Sequence, residues 1–171
     1  DLKGRMAKYG RDPSSLKIMP GLFVTVAPSE SEAKAKFQTL QDLIHPEIGV
    51  ALIERKMGID LTGVDIDGPL PPVPPNAVLS SRVDQMIAAA KRDGLTVRGL
   101  YQRFAASRGH CAIVGSPNQI ADHMQQWFEE GAADGFNFMA PIFPSGLEDF
   151  VDLVVPELQR RGLFRTEYET N

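Results

Sequence analysis

The sequence predicts an α/β fold in which two helix-strand-helix segments flank an all-helical middle. Three observations carry that prediction. Leu16 to Val26 reads LKIMPGLFVTV, a β-rich apolar run, and a strong helix start at Ser116 leads to the strand-like Phe136-Asn137-Phe138-Met139. Between them the chain is helical in pattern and crossed by prolines at 69, 71, 72, 74 and 75. Helix followed closely by strand is the half-unit of alternating α/β folds.

The 171 residues are 43% hydrophobic and 23% charged, which excludes a disordered tail, a collagen-like repeat and a disulfide scaffold. With 18 Lys and Arg against 22 Asp and Glu the net charge is −4, and the basic residues are scattered. Nucleic acid is therefore not an expected partner. The single cysteine, Cys111, has no internal disulfide partner, and no apolar run approaches the roughly 20 residues of a membrane helix. No membrane partner and a cytoplasmic location are the expectations.

Leu2 to Tyr9 reads as the middle of an amphipathic helix, with Leu2, Met6 and Tyr9 on one face and no start signal. A fragment is expected on that ground. Gly10 stops the helix, and Arg11 to Ser15 is turn chemistry. Pro20-Gly21 inside the following run cannot continue a central ladder, so it marks a strand break, a bulge, or a strand end where the backbone comes close to something. Ser29 and Glu32 form a capping box. The helix behind it buries Ala33, Phe37, Leu40 and Ile44 and ends at His45-Pro46, because the residue before proline is pushed out of the α region. A second helix covers Ile48 to Met57, stopped by Gly58.

Leu61 to Asn76 reads LTGVDIDGPLPPVPPN, an extended surface strap. Ser81 to Asp93 is a helix with Val83, Ile87 and Ala90 inside, ended by Gly94. Thr96 caps the next, which turns Leu100, Tyr101 and Phe104 inward and leaves Arg98 and Arg103 in water. Cys111 to Val114 is a short apolar segment. Ser116, Pro117 and Gln119 supply N-cap, N1 and N3 of a helix running to Glu130, with Ile120, Met124, Trp127 and Phe128 as its apolar face. A last helix spans Leu147 to Arg161, and Pro156 must kink or divide it. Only two strands are evident. A stable sheet wants more, so either a third is hidden or the rest lies outside this chain.

His45, His110, His123 and Cys111 are the obvious nucleophile or ligand candidates. No HExxH, CxxC or paired-histidine spacing joins them, so no metal site is expected. His123 is placed on the polar side of its helix, and His45 is suited to satisfying helix-terminal carbonyls. Gly115-Ser116-Pro117 offers free amides and a helix dipole either to a simple cap or to an anion. Asp65 and Asp67 lack the glutamate that a calcium loop needs. No Walker loop, GxGxxG or GxSxG occurs.

Three segments carry a resemblance: GRDPSSLKIMPGLFVTV (10 to 26), IVGSPNQIADHMQQWFEEGAADGFNFM (113 to 139) and PELQRRGLFRTEYE (156 to 169). The chain resembles the closing third of the flavin-dependent monooxygenases of the nitrilotriacetate, pristinamycin and dibenzothiophene-sulfone subgroup, within the bacterial-luciferase-like superfamily. The resemblance implies the C-terminal portion of a (β/α)8 TIM barrel with a helical, proline-rich insertion. It divides the chain into a helix-strand-helix at 1–44, the insertion at 45–109 with its strap at 61–76, and a closing helix-strand-helix at 110–171. Leu16 to Val26 resembles barrel strand seven and Phe136 to Met139 strand eight.

The activity it implies is that of the large component of a two-component monooxygenase. Reduced FMN arrives from a separate NAD(P)H:FMN reductase, O2 is consumed, and a small organic substrate is oxygenated; a homo-oligomer is implied as well. A complete barrel takes about 250 residues, so the isolated chain is expected to be inactive. The alternative is a non-catalytic α/β assembly or binding module. Barrel sites lie at the C-terminal ends of strands. That rule points to Met139, Ala140 and Pro141 for the cofactor and to Phe23 and Thr25 for the substrate. His45, the polar residue of the inserted region, joins the substrate contacts. No catalytic residue and no metal ligand is assigned.

Overall fold

A computed structural model describes residues 2–74 and 80–168. The last two residues of the proline strap, Pro75 and Asn76, lie outside them. The chain divides into two units: residues 1–36 with 110–171, and residues 37–109.

The first unit is built on a three-stranded parallel sheet, order β2-β1-β3, of β1 (Gly21–Val26), β2 (Cys111–Gly115) and β3 (Asn137–Met139). β2 is the hidden third strand. It pairs along β1 from Leu22 opposite Cys111 to Val26 opposite Gly115, while β3 pairs Gly21 to Phe23 with Asn137 to Met139. β1 is thus central, and it starts after Pro20, whose missing N–H no longer matters at a strand end. Gly21 is needed there for a second reason: a β-carbon would stand 2.5 Å from His110 Nδ1.

Strand side chains alternate between faces. Leu22, Val24 and Val26 pack into one cluster with Ile120 and Ala121 of α6 (Pro117–Glu129) and with Val154 and Leu158 from the C-terminal helical stretch. That stretch comprises α7 (Ser145–Asp149), a π-turn (Phe150–Val154) and α8 (Val155–Arg160). Pro156 divides it, as expected. The Val155 amide reaches back to the Phe150 carbonyl in the wide i→i+5 pattern, so the proline falls in the first turn of α8, where a missing N–H costs no bond. Arg161 locks α8 to α6 by donating to Glu157 at 2.7 Å, Asp122 at 2.7 Å and Gln125 at 3.0 Å.

Both capping boxes form. The Ser29 amide donates to the Glu32 carboxylate at 3.0 Å and the Glu32 amide to Ser29 Oγ at 3.3 Å, starting α2 (Glu30–Asp42). Ser116 and Gln119 do the same for α6, at 2.9 and 3.5 Å. The N-terminal helix is shorter than its pattern suggested. α1 (Leu2–Met6) passes into a 3-10 turn (Ala7–Tyr9), and only Met6 is buried while Leu2 and Tyr9 are exposed. Phe128 is likewise exposed: the buried residues of α6 are Ile120 and Ala121, and Phe128 lies one residue before the helix ends at Glu129.

The second unit has its own core of Ile53, Met57, Leu61, Val83, Met86, Ala90, Val97, Leu100 and Tyr101. These come from α3 (Pro46–Met57), α4 (Ser81–Arg92), α5 (Val97–Ser107) and the strap. α3 and α5 meet closely because Gly49 leaves room for the Tyr101 ring. The strap is fastened by main-chain bonds: its Gly68 and Ile66 carbonyls accept the Val97 and Arg98 amides at 3.0 and 2.8 Å, which satisfies donors that a helix start otherwise leaves orphaned. Arg98 is not simply in water. It donates to Asp67 at 2.6 Å and to the Tyr101 hydroxyl at 3.0 Å, and Arg103 donates to Asp93 at 2.5 Å. Asp67 therefore serves an ion pair rather than a cation loop.

Candidate functional site

The face of the sheet opposite α6 and α8 carries the alternate residues of β1. Phe23 and Thr25 are 7% and 0% exposed, and Met139 is the register partner of Phe23. Three residues picked out from the sequence thus share one face at the C-terminal half of the sheet. Ala140 and Pro141 follow directly as the chain leaves β3, all three β3-end residues being half-buried. In parallel sheets this end of the strands is where loops and helix starts converge on ligands.

One polar atom stands out on that face. Thr25 Oγ1 is buried and has no hydrogen-bond partner among the described residues. Buried hydroxyls are nearly always paired, because leaving one unpaired costs about 1–3 kcal/mol. Apolar Phe23 and Met139 around a single unsatisfied hydroxyl suit an aromatic heterocycle with one polar contact, the composition typical of small-molecule sites. The ring system of a flavin fits that lining in kind. Two cavities, of about 750 and 420 Å³, lie elsewhere and are not lined by these residues.

The two helix starts at this end of the sheet are already satisfied. Besides the capping boxes, Gln119 Nε2 donates to the Glu30 carboxylate at 2.9 Å. Glu30 is held below the usual carboxylate range first by its bond to Lys34 and then by Gln119. A carboxylate at this position occupies the electrostatic niche an anion would take, so Gly115-Ser116-Pro117 acts as a cap. His45, in the second unit, is exposed. It is the N-cap residue of α3 with φ −60° and ψ 130° and makes no side-chain cap bond, so it satisfies no helix terminus.

The sequence reading missed a contact between two of its own candidates. Cys111 Sγ lies 3.8 Å from His123 Nε2, and the His123 ring packs on Trp127 with centroids 4.9 Å apart. His123 follows Ile120 by three residues and precedes Trp127 by four, which is the spacing of one helix face. That period was the available signal. Burial pushes the Cys111 thiol up and the His123 imidazole down, so both are held neutral. Among the described residues no three His, Cys, Asp or Glu side chains converge on a metal position, and no helix is long and apolar enough to cross a membrane.

Residues 1–134 match the family described as luciferase-like monooxygenase. Nitrilotriacetate monooxygenase component A of Aminobacter aminovorans is 54% identical over 171 residues, which are 99% of this chain and 38% of that protein. The crystal structure of DmoA from Hyphomicrobium sulfonivorans superposes with a TM-score of 0.79 at 30% identity, covering 99% of this chain and 35% of that one. A riboflavin lyase (RcaE) crystallised with modified FMN and riboflavin gives a TM-score of 0.69 at 28% identity, covering 99% and 36%. The chain therefore spans well under half the length of the relatives it matches.

Proposed function

The chain belongs to the luciferase-like monooxygenase family, and from that premise we propose that it forms the closing part of a flavin-dependent monooxygenase barrel. The observation that carries this reading is the shared face of Phe23, Thr25 and Met139, with the unpartnered Thr25 hydroxyl among apolar neighbours. When bound, reduced FMN from a separate NAD(P)H-dependent reductase supplies the oxygen-activating chemistry. This chain's residues bind, orient and exclude water. Met139, Ala140 and Pro141 form the wall against the cofactor, and Phe23 and Thr25 meet a small organic substrate.

The pair read as strands seven and eight, β1 and β3, are hydrogen-bonded parallel neighbours, which supports the barrel reading. β2 takes the other edge of β1. A closed barrel built with this chain must either keep β2 as a wall strand or release it to admit a preceding one. The family's soluble two-component arrangement, a homo-oligomer and a cytoplasmic location belong to the same proposal.

The test is oxygenation by the polypeptide in which this chain closes the barrel, supplied with reduced FMN by a reductase and scored by labelled oxygen in the product. Thr25→Val and Met139→Ala should each lower kcat/KM by about tenfold or more, the scale of one lost polar or packing contact. Unchanged kinetics in both variants would overturn the site. Absence of any flavin affinity would return the chain to the assembly-module reading.

A further inference from the structure

At the opposite, N-terminal end of the strands lies a cavity of about 420 Å³ that the proposed oxygenation does not use. Its inner wall includes Phe138 and Phe150, whose rings stack with centroids 4.2 Å apart. Met19, Phe128 and Phe164 line it as well, and each is 40% exposed or more. Protein interiors are packed as densely as organic crystals, and this volume lies within the range of small-molecule sites. An apolar hollow of that size, edged by large hydrophobic side chains left in water, has the form of a seat for an apolar body.

The charges at the cavity say what the rest of the occupant carries. Two ionisable residues line it, Asp134 and Arg165. Asp134 is neutralised: its carboxylate accepts the Ile18 amide at 2.8 Å and pairs with Lys3 at 2.6 Å, which together hold it below the usual range. Arg165 has no carboxylate partner among the described residues. The face of its guanidinium is covered by the Tyr168 ring at 4.9 Å, which leaves the N–H edge, the part that grips oxyanions, open. Its main chain is fixed, since the Arg165 carbonyl accepts from Gln159 Nε2 at 2.9 Å and the Leu163 amide donates to the Leu158 carbonyl at 2.8 Å.

We propose that this cavity binds a small amphiphile, an apolar tail or ring system in the hollow and an anionic head on Arg165. It stands apart from the strand ends assigned to flavin and substrate, so neither reading depends on the other.

The probe is anilinonaphthalene sulfonate, titrated into the full chain by fluorescence beside its uncharged analogue phenylnaphthylamine. The sulfonate should saturate at one site per chain and be displaced by dodecanoate but not by excess FMN. Arg165→Gln should weaken it about tenfold, the scale of one charge-assisted hydrogen bond. Arg165→Glu should weaken it further, and the uncharged analogue should bind all three proteins alike. Arg165 is exposed, so neither variant threatens folding. Uptake that does not saturate, displacement by FMN, or equal sulfonate affinity in the Arg165→Glu protein would each overturn the proposal.

Discussion

Tyr101 of α5 packs directly against the bare Cα of Gly49 in α3: a β-carbon on Gly49 would stand 2.4 Å from the ring's Cδ2. Tyr101 is fully buried and its hydroxyl is held by Arg98, so the ring has nowhere to retreat. Gly49→Ala should therefore destabilise the chain by about 1–3 kcal/mol through overpacking, despite alanine's better helix propensity. Urea unfolding of the variant gives the answer; a midpoint at or above that of the parent would refute it.

The α6–α8 lock should make the fold acid-sensitive. Bonds to Arg160 and then Arg161 hold the Glu157 carboxyl at about 2, against an ordinary 4.5. A carboxyl depressed in the folded state adds stability that is complete above its unfolded value and lost as pH falls from about 4.5 toward 2. Glu157→Gln should flatten the melting-temperature profile across that window and leave the neutral-pH profile parallel to the parent's. Identical acid slopes would show that the Glu157 pairs do not contribute to acid stability.

The neutral Cys111–His123 pair gives two opposite pH signatures. A thiol raised by burial stays protonated in the fold after the unfolded chain has ionised, so its contribution to stability fades as pH rises above the ordinary value of about 9. Alkylation of Cys111 should lag behind that of free cysteine at pH 8–9. An imidazole depressed below 6.5 makes the fold lose stability as pH drops through that value, because the unfolded state takes the proton first. His123→Gln should remove the second effect. Alkylation at the free-cysteine rate would show that the thiol is not buried.

Thr25 should separate stability from function. Valine keeps the branched shape and removes a hydroxyl that is 0% exposed and unpartnered. Thr25→Val should raise the melting temperature of the chain by a few degrees, as removal of an unsatisfied buried group does, while lowering kcat/KM in the oxygenation assay. Sites kept at a cost to stability behave in this way. A drop in melting temperature would mean that the hydroxyl is already satisfied.

Local chemistry made much of the fold legible. The two capping boxes and the stops at Gly10, Gly58 and Gly94, all at positive φ, are short-range signals, and so is the break at Pro20-Gly21. What escaped was set by distant partners. Cys111–Gly115 reads as five unremarkable residues and becomes a strand only because β1 offers it a full-length edge. The strap and helices of the second unit build a core without a strand, which a reading centred on strand counts undervalues. The proposed site rests on the rule that barrel sites lie at the C-terminal ends of strands; that Phe23 and Thr25 share a face follows from period two, and that Met139 stands opposite Phe23 from register. That Thr25 lacks a partner is a property of three-dimensional packing alone.

The central position of β1 has a consequence for synthesis. Both of its neighbours are made later, at residues 111–115 and 137–139. On a ribosome β1 emerges before either of the two strands it pairs with in this sheet. Such long-range pairings fold slowly and leave edges open to foreign strands. The helices made between β1 and β2 have a hydrophobic core of their own, so their packing does not wait for the sheet to be completed.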